Sequence, residues 1–207
     1  MTTGQALLAF IAAASILTLT PGVDTAIVLR SATSTGRRPA CFAAVGIALG
    51  CLMWGGAASV GLGALLAASK LAFTLVKWAG AAYLLYLGIK LIVHPRMHPD
   101  DVVVQSPNLD PWQSLRQGLL TNLLNPKVGV FYITFLPQFI PAGANVPLFS
   151  FLLACIHVVL SVAWFAVLIA AAVSVGHLLR RPHVVKALDR VTGTVFLAFG
   201  AKLVLLR

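Results

Sequence analysis

Acidic side chains are scarce in this chain: five in 207 residues, against fifteen Lys and Arg. Charged residues of either sign make up 10% of the sequence, hydrophobic residues make up 59%, and mean hydropathy is +0.95. That lack of polar side chains excludes an ordinary soluble domain and points to an integral membrane protein. The formal net charge of +10 is no nucleic-acid footprint, because the basic residues fall in short clusters between apolar segments and form no continuous basic face. Cysteine is also sparse. Cys41, Cys51 and Cys155 stand singly in apolar sequence, without the spacing of a zinc site or a disulfide framework, and are expected as buried thiols packing like small hydrophobes. No Lys or Arg precedes the first apolar stretch, MTTGQALLAFIAAASILTL, so the basic leader of a cleavable signal peptide is missing and a first span is expected there. There is no Ser-His-Asp arrangement and no nucleotide-binding loop, so neither an enzyme nor a cofactor is expected.

A helix crossing roughly 30 Å of hydrocarbon needs about 20 mostly apolar residues. Six stretches meet that need: 5–29, 40–66, 71–93, 115–139, 147–178 and 186–206. Between the third and fourth, HPRMHPDDVVVQSPNLDPW holds three of the five acids and is broken by prolines, which makes it a linker over 94–113. The expected fold is therefore an all-α membrane domain of six transmembrane helices, with three-helix halves at 1–93 and 114–207. Ten basic residues, among them Arg30, Arg37, Arg38, Arg180 and Arg181, fall on one side of these spans, and Lys70, Lys77, Lys202 and Arg207 fall on the other. The positive-inside rule then places both termini on the non-cytoplasmic side, with a five-span arrangement as the alternative.

The chain also repeats itself. LLTNLLNPKVGVFYI (119–133) matches SILTLTPGVDTAIVL (15–29), with Pro126 answering Pro21, and LGIKLI (87–92) answers FGAKLV (199–204). Three spans per half force the second half to enter the membrane with the opposite orientation. That is an inverted repeat, an architecture suited to alternating access in secondary transport.

The first helix of each half carries a polar residue before proline: Thr20-Pro21-Gly22 and Asn125-Pro126-Lys127. Proline removes an amide donor and clashes with the preceding turn, so each helix should break and restart, with Thr20 and Asn125 as N-caps and the new N-termini facing an internal site. Asp24 falls in the first turn of the restarted helix, where the dipole favours it by about 0.3–1 kcal/mol, while a charge at mid-membrane costs about 2.5–3.5 kcal/mol. Capping alone does not cover that cost. Lys127 sits at a helix N-terminus, where the dipole disfavours a cation. Asp24 and Lys127 are thus expected to approach each other and to be separated by a proton or a zwitterionic substrate; snorkelling is the alternative for Lys127.

Asn122 shares a helix face with Asn125 and is a candidate lining residue. Gln138, in PQF, is a candidate for the outer mouth, and His157, with Ser161 one turn later, suits an interhelical hydrogen bond or a proton relay. Gly46, Gly50, Gly55, Gly56, Gly61 and Gly63 crowd the second span, which suits close helix packing and a homodimer. His94, His98, Asp100 and Asp101 have loose metal-like spacing, but in a proline-broken loop they read as solvated side chains, so no metal is expected.

TPGVD in the first span, NLLNPKVGVFYITFLPQF in the fourth and the three-plus-three organisation over nearly the whole chain resemble the lysine exporter (LysE/RhtB-type) superfamily, particularly its homoserine/threonine-resistance branch. The resemblance implies export of amino acids or related small metabolites across a bacterial cytoplasmic (inner) membrane, driven by protons. The family's first motif commonly reads Pro-Gly-Pro followed by Asp or Asn, and Val23 here stands in place of the second proline. Members handle basic, neutral and sulfur-containing amino acids, so the resemblance names no cargo. Electron-carrying relatives place a cysteine beside each break, where this chain has Thr20, Gly22, Asn125 and Lys127. A metal-ion exporter is the other rival, and the spans hold no acidic or His/Cys cluster to favour it.

Overall fold

A computed structural model of the chain describes residues 2–95, 110–172 and 181–205. Among these residues every regular element is helical: α1 (Thr3–Leu19), α2 (Val23–Arg30), α3 (Arg37–Ala68), α4 (Lys70–Val93), α5 (Pro111–Leu123), α6 (Pro126–Val130), α7 (Val146–Ala170) and α8 (Pro182–Leu205). A π-helical stretch, Ser31–Thr35, continues α2, and a second, Phe131–Phe135, continues α6 and runs into a 3₁₀ turn at Leu136–Phe139.

The two proline breaks dominate the architecture. α1 bends into the α2 segment by 56°, and α5 bends into the α6 segment by 54°. Two further helices, α7 and the Arg37–Gly61 part of α3, are long and apolar enough to cross a membrane unaided; if each bent pair counts as one span, the described residues hold up to four such spans. α4 and α8 are helices of 24 residues each.

Local chemistry sets several boundaries differently from the hydropathy pattern. α5 starts at Pro111 because Asp110 forms a capping box: its carboxylate accepts from Gln113 N at 2.8 Å, and the Gln113 side chain accepts from Asp110 N at 3.0 Å. The expected linker therefore ends before 113. Most of it, including His98, Asp100 and Asp101, lies outside the described residues, and His94 is exposed. α7 closes at Ala170, and residues 173–178 of the expected span also lie outside the described part.

Small residues let the helices approach. A Cβ on Gly46 would collide with the Leu115 carbonyl, and one on Gly118 would collide with the Ala43 carbonyl, so α3 and α5 touch backbone to backbone. α4 and α8 cross in the same way, a Cβ on Gly88 falling 2.8 Å from the Gly193 carbonyl. Gly55 packs on Ala154 of α7, whereas Gly56 and Gly61 face open space, so the glycines of the second span divide between packing and free surface. The centre is filled by Phe10, Phe131, Tyr132, Phe135 and Phe139, all buried, with Phe10 edge-on to Phe139 at 5.3 Å. Large apolar side chains such as Leu8, Val60, Leu71, Leu148 and Val159 point outward, an arrangement suited to a lipid surround.

Candidate functional site

The two breaks meet. At the first, Thr20 ends α1 in extended backbone, the conformation favoured for a residue before proline. Its hydroxyl turns back to donate to the Ile16 carbonyl at 2.8 Å and also meets the Thr192 hydroxyl of α8. Thr20 is therefore a C-cap of α1 and not the expected N-cap of the restarted helix. The chain stays extended through Gly22, which is the N-cap of α2 and supplies no side-chain hydrogen bond. Asp24 follows in the first turn.

The second break follows expectation more closely. Asn125 caps α6, its Oδ1 accepting from Lys127 N at 3.0 Å with Pro126 at the first position. The Asn125 amide then reaches across the break to donate to Asp24 Oδ1 at 3.3 Å. Asn122, fully buried one turn earlier on α5, donates to Asp24 Oδ2 at 2.7 Å. The carboxylate from the first half is thus held by two amides from the second.

Lys127 makes the reciprocal connection. Its Nζ donates to the carbonyls of Leu17 and Thr20, 3.3 Å each, at the C-terminal end of α1. That resolves the dipole conflict: the α-carbon sits at a positive helix end, but the long side chain delivers the ammonium to a negative one.

These groups, except Asn122, which stands behind Asp24 and does not line it, surround one cavity of about 50 Å³. Thr20, Gly22, Asp24, Asn125 and Lys127 form its polar part, and Leu17, Ile47, Val128, Phe131 and Phe165 form an apolar wall. A Cβ on Gly22 would stand 3.7 Å from Lys127 Nζ, so the uncapped start of α2 opens directly beside the ammonium. His157 and Ser161 of α7 also line the cavity; both are buried, and Tyr132 OH lies 2.9 Å from His157 Nδ1. Pro21 is buried at the break. Gln138 does not reach the cavity, because its amide nitrogen bonds back to the Thr134 carbonyl at 2.9 Å.

Motif reading misses several participants. Cys51 is buried, lines the cavity and accepts a hydrogen bond from Asn122 at 3.4 Å, so it is more than an apolar filler; Cys41, in contrast, is exposed. Tyr132 lies within the fourth-span motif without standing out from its apolar neighbours. Thr192 is buried on α8, where it meets the Thr20 hydroxyl, and nothing in its sequence surroundings marks it.

The LysE-type translocator family model matches residues 15–207. The chain belongs to the LysE family of translocators. Relatives include the uncharacterised membrane protein YrhP of Bacillus subtilis, 33% identical over 96% of this chain and 98% of its own length. An uncharacterised membrane protein of Vibrio cholerae is 33% identical over 93% of each chain. A leucine efflux protein of Klebsiella pneumoniae is 29% identical over 97% of this chain and 95% of its own. No solved structure matches. Family membership together with the apolar helices makes this a multi-pass membrane protein of a translocator family.

Proposed function

We propose that this chain exports amino acids from the bacterial cytoplasm by proton-coupled antiport, with neutral aliphatic amino acids as the preferred class. The observation that carries the reading is the cavity itself, where a carboxylate (Asp24) and an ammonium (Lys127) from opposite breaks share a space with an apolar wall. A zwitterion fits that layout. Its ammonium replaces the Asn125 amide at Asp24, its carboxylate sits between Lys127 Nζ and the uncapped start of α2, and its side chain lies on Ile47, Val128, Phe131 and Phe165. The leucine efflux relatives support the class of cargo.

The cavity of about 50 Å³ has room for only a few water molecules at roughly 10–15 Å³ each, so an amino acid enters only when the surrounding helices part. Two broken units with bends of 56° and 54° are natural moving parts, which supports six spans arranged as inverted halves and alternating access between them. Asp24 is the proposed proton carrier: protonation on one side releases the substrate ammonium, and deprotonation on the other readies the site again. The basic clusters support placing both termini outside the cytoplasm.

The test is leucine transport in proteoliposomes with and without an imposed pH gradient. Gradient-dependent counterflow is expected in the native protein and none in Asp24→Asn at equal membrane level. Full gradient-driven transport by Asp24→Asn would remove Asp24 from this role.

A further inference from the structure

α3 and α7 run past the cavity side by side in opposite directions. The Ser59 hydroxyl donates to the Pro147 carbonyl and Gly55 packs on Ala154, so numbering falls along α3 as it rises along α7. Continued for two further turns, that register sets Cys51 beside His157 and Ile47 beside Ser161, and all four line the cavity. Cys51 accepts from the same Asn122 amide that holds Asp24, which makes its level the polar end. Phe165 lines the cavity one turn beyond Ser161, about 12 Å of helix from His157. Side chains on an α-helix lean toward its N-terminus, so the Phe165 ring covers the turn that carries Ser161 and closes the apolar end.

Phe165 differs from the other large side chain of that wall. Phe131 is fixed by the rings of Phe10, Tyr132, Phe135 and His157, at 4.6–6.1 Å between centroids. Phe165 is buried outside this group of packed rings, on a helix that belongs to neither broken unit. Its size can therefore act on the cavity without holding the aromatic centre together.

We propose that Phe165 sets the upper size limit of the transported side chain: its ring occupies the place that the ring of an aromatic amino acid would take, so the site accepts leucine and disfavours phenylalanine. The proposal rests on the transport reading above and adds to it the residue that does the selecting.

The test is competition against leucine uptake in proteoliposomes, with unlabelled leucine and phenylalanine measured on one preparation of the full chain. Native protein should require at least about tenfold more phenylalanine than leucine for half-inhibition, the lower end of what one misfitting group costs in an apolar pocket. Phe165→Leu should narrow that ratio, Phe165→Ala should bring it to one or below, and Phe165→Trp should widen it. A ratio taken within one preparation does not depend on how much protein folded, and Phe165→Leu answers the question alone if Phe165→Ala is unstable. A native ratio near one overturns the proposal. So does a ratio unmoved by Phe165→Leu and Phe165→Ala while leucine is still carried, since equal weakening of both amino acids marks a structural role only. If the native protein carries neither amino acid, the transport reading itself fails and this proposal falls with it, a result distinct from transport at a fixed ratio.

Discussion

Asn122 holds Asp24 through a 2.7 Å hydrogen bond that crosses from one half of the chain to the other. A hydrogen bond to a charged group is worth about 1.5–3 kcal/mol, so Asn122→Ala should lower leucine transport about 10- to 100-fold at unchanged protein level. The 3.3 Å bond from Asn125 is longer. Asn125→Ser retains a capping side chain for α6 and should cost well under tenfold. Initial uptake rates in proteoliposomes rank the three proteins, and a larger loss in the serine variant would reverse the assignment of the main partner.

Lys127 has two tasks, closing the end of α1 and facing the cavity. Lys127→Ala should therefore raise the KM for leucine at least about tenfold, the equivalent of roughly 1.4 kcal/mol. For an amine lacking the carboxylate the change should be small. Competition of leucine uptake by leucine and by isoamylamine measures both terms in one protein.

Backbone contact between α3 and α5 makes Gly118 intolerant of any side chain. Gly118→Ala should lower the detergent melting temperature by several degrees and reduce the folded yield. Gly56, where an added methyl would meet nothing within 4 Å, is the control: Gly56→Ala should be neutral or gain up to about 1 kcal/mol of helix propensity. Fluorescence-detected size exclusion after heating distinguishes them.

Thr20 ties the first break to α8 through Thr192. Thr20→Val should cost about 0.5–1.5 kcal/mol of stability, and Thr20→Ser should retain it. Melting curves of the two variants, with Thr192→Val as the third corner of a cycle, check whether the loss resides in this pair.

The parts of the site that can be read from sequence are those with a single local cause. Proline after a polar residue fixes a break wherever it falls in an apolar run, so Pro21 and Pro126 locate both units, and the cost of charge in a membrane draws attention to Asp24 and Lys127. Partnership is not legible, because it depends on how two bent helices dock. Lys127 finds the carbonyls of Leu17 and Thr20, 110 and 107 residues away, and no spacing rule reaches that far. Thr20 misleads for a local reason: the chain stays extended for two residues past it, through Gly22, so α2 starts later than a Thr-Pro pair implies. Cys51 and Tyr132 look like core filler in sequence, and only the side chains packed around them make them polar.

The amides that hold Asp24 and the ammonium that closes α1 all come from the second half of the chain. Two copies of the first half would bring two carboxylates together with nothing to receive them, and two copies of the second would bring two ammoniums. If an ancestor of this chain assembled from identical halves, divergence at these positions closed off that option, and each half now carries a charge that only its counterpart makes tolerable in the membrane.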